Sequence, residues 1–525
     1  MVRLHPPSPR LQQSSSPVRW ARCSAPSRVP CWPPVSGPRR SCSPGGPNSP
    51  SVDRSPEAVP MGDELGIVWF RRDLRLEDNP AWAEATATCS SVLALFVLDP
   101  RLLDRSGPAR RDRLIGDLRA LQLRLRELGG DLLVRTGDPA DVVLAAAAEF
   151  AARSVHLNLD VSPFAQQRDA AVRTALEAGG VHWCGQWGTL VHQPGAVRTA
   201  AGGLSQVFTP FHKVWARTPW TPWPRPGTAE VLAISGESVP AGGPYPFVAA
   251  QRGAAADPGE SGAFARLQAA AERADRYDDE RNTPSVQGTS ELSADLKFGT
   301  ISPRTAAQLI GEATPGRAAL VRQLAWRDWY AHLLHATPAL VDAPMKPQYA
   351  DLVWLDDDDG FTAWTRGRTG VPFVDAGMRQ LRTTGWMHNR VRMVTASFLV
   401  KNLLIDWRRG ERYFRHVLVD GDVSQNVGNW QWVAGTGPDA SPYNRIFNPV
   451  LQGQRFDPDG AYIRTWVPEL AGLDDATIHE PWVAGPLDLA AAGVALGVDY
   501  PAPIVDLRES RQRALAAYEA VRARG

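Results

Sequence analysis

Cysteine is scarce: five residues in a chain of 525, three of them (Cys23, Cys31, Cys42) within the first sixty positions. Cys89 and Cys184 are the remainder, far apart and without CxxC spacing. Neither a disulfide framework nor a zinc site is implied, and a reducing cytoplasm fits. No apolar run approaches membrane-spanning length, so no membrane partner is expected. Lysine is almost absent while arginine is abundant, a bias that points to a GC-rich genome more than to any activity. The usual phosphate fingerprints are missing too. After the first apolar run the chain reads FRRDLRLEDNP rather than GxGxxG. The near match at Gly435, Thr436, Gly437 and Ala440 is not set between a strand and a helix. There is no P-loop and no HExxH. Asp420, Asp422 and Asn426 suggest a calcium loop, but Gln425 stands where its sixth-position glycine is required. His332 and His335 share helical spacing and read as hydrogen-bonded structural residues; no metal is expected.

Net charge is also small, +1 overall, but unevenly spread. Residues 1–60 carry eight Arg, no Lys and two acids (Asp53, Glu57), which gives +6 and leaves −5 for the rest. Any contact with nucleic acid must therefore come from a local patch. These first sixty residues are rich in Pro, Ser and Arg, lack periodic apolar positions and read as disordered. An over-extended start before Met61 is the expectation, with a transit peptide and a basic DNA-binding arm as rivals.

Beyond the tail, 61–192 alternates strands and helices. Apolar runs at Gly66 to Phe70 and Val92 to Leu98 precede helical spacing at Leu114, Leu118, Leu121 and Leu125. Leu132 to Arg135, Ser154 to Leu159 and Val181 to Trp187 read as further strands, and Asp138 with Pro139 starts an Ala-rich helix. Such alternation predicts a parallel sheet with helices on both faces, a Rossmann-like α/β domain. Residues 193–262 are rich in Pro and Gly and read as a long linker. From 263 to 525 nearly every periodic segment is helical, which predicts a large all-α domain.

Two stretches of that domain stand out. GWMHNRVRMVTASFLVKNLLIDWR, Gly385 to Arg408, reads as a helix with Asn389, Arg390, Arg392 and Met393 at its polar start and an apolar continuation. Asn389, Arg392 and Met393 lie near one face. DGDVSQNVGNWQW, Asp420 to Trp432, reads as a loop with two carboxylates, two asparagines and two indoles. Together they suit a large, flat aromatic ligand with polar edges.

With TGVPFVDAGMRQL, GTSELS, QLAWRDWY and PYNRIFNP, these motifs make the chain from Gly66 onward resemble the photolyase/cryptochrome family. It is most similar to the bacterial class I cyclobutane pyrimidine dimer photolyases. The resemblance implies FAD in the helical domain. Tyr277, Thr289, Ser290, Leu292 and Ser293 would contact its phosphates and ribityl chain, where hydroxyls and backbone N–H groups at a helix start suit a diphosphate. Arg327, Gln323 and Asn389 would approach it, Arg392 would pair with Asp420 beside it, Asp422 would contact the ring and adenosine region, and Asn426 would face flavin N5. Trp430, Trp407 and Trp354 match the family's electron relay. Trp326, Trp432, Asn389 and Met393 match its lesion site, where indoles replace lost stacking. Arg281, Arg390 and Arg445 match grips on flanking phosphates of UV-damaged DNA.

Three departures qualify the match. Gln323 stands where the bacterial repair enzymes carry a Glu that hydrogen-bonds the dimer. Glu291 replaces a frequent Arg, and Phe373 is bulkier than usual. Ser162 stands where folate-binding members have a Glu after an Asn (here Asn158), which favours a deazaflavin antenna over folate. Six-four photolyases and cryptochromes share Gln at position 323 but place histidines near Asn389 and Met393, and cryptochromes add a C-terminal extension. The expectation is a monomeric, cytoplasmic, light-driven DNA repair enzyme, with those two relatives as alternatives.

Overall fold

The structure, a computed structural model, describes residues 64–234, 239, 257–439 and 442–523. The tail expected to be disordered, its three cysteines and the middle of the expected linker lie outside the described residues.

Five strands form the main path of a six-stranded sheet: β1 (Leu65–Phe70), β2 (Ser91–Leu98), β3 (Leu132–Thr136), β4 (Ser154–Asn158) and β5 (His182–Gln186). All pair in parallel in the order β3-β2-β1-β4-β5. LGIVWF and SVLALFVL are buried almost throughout, as strands covered on both faces must be. HWCGQ is half-exposed because β5 is an edge. Helices α1 (Pro80–Thr88), α2 (Pro108–Glu127), α3 (Pro139–Glu149) and α4 (Pro163–Ala178) cover the faces. Asn79, Asp138 and Ser162 cap α1, α3 and α4, each followed by a proline at the start. Leu118, Leu121 and Leu125 of α2 pack on one face with Val68 and Phe70. Val143 and Ala146 of α3 and Val172 of α4 pack on the other with Ile67 and Trp69. Strand order reverses between β1 and β4, the place where open sheets present a crevice.

The connection at 193–262 is not all coil. FTPFHKVW folds as α5 (Phe208–Trp215), with Phe208, Phe211 and Trp215 buried in the helical core. A short strand, Glu230–Val231, adds to β2, and the next helix begins at Gly259. Spacing of i, i+3 and i+7 at the three aromatics wins over the breakers around them.

Helices dominate the remainder: α6 (Gly259–Arg273), α7 (Ser293–Phe298), α8 (Pro315–Ala336), α9 (Pro372–Thr384), α10 (Asn389–Ser397), α11 (Trp407–Val417), α12 (Val423–Ala434) and α13 (Leu507–Arg522). Their apolar faces meet in one large core. The α/β domain is sealed to them by Ala294, Phe298 and Val419, which join the Val68 face of the sheet. Leu74 N–H donates to Phe298 O at 3.1 Å. Gly299 follows in the left-handed region (φ +68°), and a Cβ there would meet Arg72 O at 2.0 Å. Only glycine satisfies both demands.

A buried ion cluster crosses the same seam. Arg113 of α2 binds Asp117 (2.8 Å) and Asp295 of α7 (2.6 Å), and Arg266 of α6 grips Asp295 with two contacts at 2.6 and 2.8 Å. All four side chains are buried. Removing one member strands the others in low dielectric. Asp295→Ala should therefore cost about 3–5 kcal/mol in chemical denaturation. Glu149→Ala, which breaks an exposed pair with Arg135, should cost no more than about 1 kcal/mol.

Candidate functional site

Two of the sequence motifs converge where α10, α11 and α12 meet. His388 caps α10, its Nδ1 accepting from Arg390 N–H at 3.1 Å. The run after Ser397 adopts π-helical geometry over Phe398–Asn402, a distortion common near functional sites.

The segment Asp420 to Trp432, expected to be a loop, is mostly helix. Asp422 is the N-cap of α12, its Oδ1 accepting from Gln425 N–H at 3.1 Å. The D-x-x-Q spacing is a helix-start signature that its Asn and Gly content obscured. Asp422, Asn426 and Trp430 consequently stand four residues apart on one helix face.

That face lines a cavity of about 90 Å³, together with Asn389, Arg392, Met393 and Asp420. Phe414, Leu418 and Val433 complete its apolar wall. Arg392 holds Asp420 in a two-point pair (3.1 and 2.8 Å) and donates to Met387 O at 2.7 Å. The amide of Asn426 donates both to Glu411 O and to Glu411 Oε1, at 2.9 Å each. Its Oδ1 is thus the polar atom left for the cavity. Burial pushes the Glu411 carboxyl up, against Arg415 and Asn426, which pull it down.

Asp422 is the most strongly held acid here. Its Oδ1 also accepts from Ser424 Oγ at 2.5 Å, and its Oδ2 pairs with Arg72 of the α/β domain. Arg72 reaches Asp160 as well, at 3.0 Å. Burial would raise the Asp422 carboxyl, but Arg72, Lys297 and Arg327 outweigh it and hold it far below the usual carboxylate range. Lys297 is driven down to about 7, first by burial and then by Arg72. Arg72, Lys297 and Glu411 were not singled out from sequence; Arg72 lies inside the FRRDLRL motif, whereas nothing local marks the other two.

A second cavity, about 260 Å³, opens on the other side of the α10 start. Thr289, Ser293 and Glu291 line it with Trp386 and His388. The His388 ring is buried at its edge, against the backbone of Arg281. The remaining expected residues line neither cavity. Ser290 and Leu292 flank the α7 start, Leu292 as its N-cap. Tyr277 lies under Arg281, 5.7 Å from the guanidinium. Arg327 is spent on the carbonyls of Thr189 and Leu296, and Gln323 donates to Ala319 O within α8.

Trp326 stacks on Phe208 of α5, centroids 3.6 Å apart and 12° from parallel, so one indole face is already covered. Trp432 is half-buried, two residues past Trp430 and therefore turned away from it. Trp430 and Trp407 are buried and Trp354 is half-buried. A Cβ on Gly410 would strike Trp430 at 2.2 Å, so glycine lets α11 close over the indole. Trp364 also packs beside Trp430, at 6.2 Å. Burial lowers the Arg390 pKa, followed by the charges of Arg281, Arg455 and Arg445. These four guanidinium groups thus make one basic cluster, and Arg455 is its member missed from sequence. Of the other expectations, His332 hydrogen-bonds His192 O at 2.9 Å and His335 meets the Trp187 ring edge, a structural use of both. Ser162 is spent on capping α4, and Asn158 donates to Asp73 and Asn79.

A Rossmann-like sheet sealed to a helical domain, with an aromatic-walled and polar-rimmed cavity, defines a protein suited to a large planar cofactor. Residues 66–227 match the DNA photolyase family, and residues 320–520 match the FAD binding domain of DNA photolyase. The deoxyribodipyrimidine photo-lyase of Escherichia coli is 41% identical over 87% of this chain and 98% of its own. That of Synechococcus sp. is 39% identical over 86% and 96%. Among solved structures, a bacterial class III photolyase from Agrobacterium tumefaciens superposes with a TM-score of 0.82 at 37% identity, covering 89% of this chain and all of that one. The chain belongs to the DNA photolyase family. It is an enzyme of that family with an FAD-binding helical domain, and among the described residues no helix is long and apolar enough to cross a membrane.

The environment of His388 makes a prediction. Burial, then Arg392 and Arg390, depress its pKa to about 4. Between about pH 6.5 and 4 the unfolded chain takes up a proton here that the folded chain refuses, so stability falls as pH falls through that window. His388→Asn keeps a capping oxygen and should remove that acid loss of stability, at most about 3.5 kcal/mol across the window, read by urea denaturation at both its ends.

Proposed function

We propose that this enzyme repairs cyclobutane pyrimidine dimers in DNA, driven by blue or near-UV light. The observation that carries the reading is the smaller cavity, which Asn426, Trp430 and the Arg392–Asp420 pair line together with Asn389 and Met393. Bound here in reduced form, FAD would supply the light-driven electron chemistry, and the protein's own residues would bind, orient and exclude water.

The residues fit that cofactor chemically. Apolar walls with a polar rim suit a flat heteroaromatic ring, and the hydroxyls of Thr289 and Ser293 in the neighbouring cavity suit phosphate oxygens. Asn426 would present a neutral acceptor to the flavin ring, because Glu411 occupies its amide hydrogens. Thr289 and Ser293, which line the larger cavity, would hold the phosphates and ribityl chain, with Tyr277, Ser290 and Leu292 near them in sequence and Asp422 in the smaller cavity. Trp430, Trp407 and Trp354 form the relay from core to surface.

Photolyases are among the standard cases of enzymes that extrude the target nucleotide, at a cost of a few kcal/mol. The half-exposed indole of Trp326, with Trp432, Asn389 and Met393, would offset that cost by stacking worth about 1–3 kcal/mol per base. Arg281, Arg390 and Arg445, joined by Arg455, grip the backbone phosphates. For an antenna we favour a deazaflavin over folate, because Ser162 caps a helix and offers no carboxylate. A six-four photolyase or a cryptochrome-type sensor draws its support from Gln323.

Reduced protein given a dimer-containing oligonucleotide should restore adjacent thymines in blue light and not in darkness. Light without restoration overturns the repair reading. Trp326→Ala should weaken binding of that oligonucleotide by about 1–3 kcal/mol in a titration while the flavin absorbance is retained. Loss of the flavin instead would place residue 326 in the cofactor site.

A further inference from the structure

The side of the sheet that faces α1 carries a polar cluster which the flavin site does not use. His156 of β4 and Cys184 of β5 are register partners, so their side chains share one face. Glu84 of α1 reaches over both. One donor atom from each of the three lies within 4.8 Å of the others, the one such group among the described residues. Glu84 Oε2 stands 3.2 Å from His156 Nδ1. That spacing is close to the separation of two donors on a tetrahedral ion with bonds of about 2.0–2.3 Å.

Two of the donors are also steadied from behind. Gln186 Nε2 donates to Glu84 Oε1 at 2.9 Å. Ser154 Oγ sits 2.9 Å from His156 Nε2, and Cys89 Sγ lies 3.8 Å from the same nitrogen. Hydrogen bonds to the far atom of a ligand are how metal-binding imidazoles and carboxylates are oriented. His156 is buried while Glu84 and Cys184 are half-buried, so the site is reachable from the β5 edge and can keep one position for water. An imidazole, a thiolate and a carboxylate suit zinc, whereas calcium and magnesium prefer oxygen alone.

We propose that Glu84, His156 and Cys184 bind a single Zn²⁺ that clamps the edge strand β5 to β4 and α1. The Cys184 thiol releases its proton to solvent as it binds. His156 binds through Nδ1 as a neutral ring, with Nε2–H donating to Ser154 Oγ. Cys89, on the Nε2 side, stays outside the donor set.

Full-length protein equilibrated with Zn²⁺ and dialysed should retain one zinc per chain by elemental analysis. Co²⁺ in its place should give tetrahedral bands to the red of flavin absorption. Cys184→Ser and His156→Ala should abolish retention, Gln186→Ala should weaken it about 10- to 100-fold, and Cys89→Ser should leave it unchanged. Flavin absorbance reports folding in each variant. If a donor variant misfolds, Gln186→Ala decides, because it removes no donor. Wild type that retains no zinc overturns the proposal and leaves a His156–Glu84 ion pair in its place. Zinc that survives both Cys184→Ser and Gln186→Ala overturns it equally.

Discussion

The carboxylate of Asp422 ties the two domains to the cavity. One oxygen starts α12 and the other takes the guanidinium of Arg72 from the turn after β1. Asp160, after β4, takes the same guanidinium, while Lys297 of α7 and Arg327 of α8 add positive charge around Asp422. Burying so many ions is no bargain against an apolar core of equal volume. What the cluster supplies is geometry. The start of α12 is referenced to the sheet, and the next two turns of that helix carry Asn426 and Trp430 into the cavity. A shift of the α/β domain would therefore move the polar rim, not only the outer surface.

Much of the α/β domain was legible because its physics is local. Short, Val- and Leu-rich continuous apolar runs suit strands covered on both faces, and Asp138–Pro139 marks a helix start with no tertiary information. Composition misled where it disagreed with spacing. Asp420 to Trp432 looked like a loop because Asn, Gly and Ser are frequent there, yet Asp422, Asn426 and Trp430 repeat every four residues. Phe208, Phe211 and Trp215 were concealed in the same way by surrounding prolines and glycines. Other features had no signal in one dimension. Glu411 meets Asn426 because α11 and α12 pack together, and Arg455 joins Arg281 and Arg390 across the fold. Cys89 and Cys184 are ninety-five positions apart in sequence, yet Cys89 contacts His156, the register partner of Cys184.

Charge follows the same division between average and place. Outside the first sixty residues the chain is net acidic, which disfavours indiscriminate binding to a polyanion. Arg281, Arg390, Arg445 and Arg455 nevertheless sit close enough for their mutual repulsion, with burial, to lower the pKa of Arg390. Only part of that repulsion is relieved internally, by Asp278 beside Arg281 and the Phe456 ring beneath Arg390. An anion brought to these guanidinium groups would relieve the rest, which is the physical basis of the phosphate grip proposed above.

The pairing of Asn426 with Glu411 shows how a neutral residue can be made specific. A free amide could turn either its oxygen or its nitrogen toward a ligand. With both hydrogens engaged by Glu411 O and Oε1, turning it over would lose two buried hydrogen bonds and set carbonyl against carboxylate. Glu411 is in turn fixed by Arg415 at 3.1 Å. The chain from Arg415 through Glu411 to Asn426 thus sets the polarity of one atom in the cavity. A larger residue at Gly410 would push α11 from Trp430 and loosen that chain at its root. Orientation at this cavity is consequently a property of the α11–α12 contact, inherited by the side chain that faces the ligand.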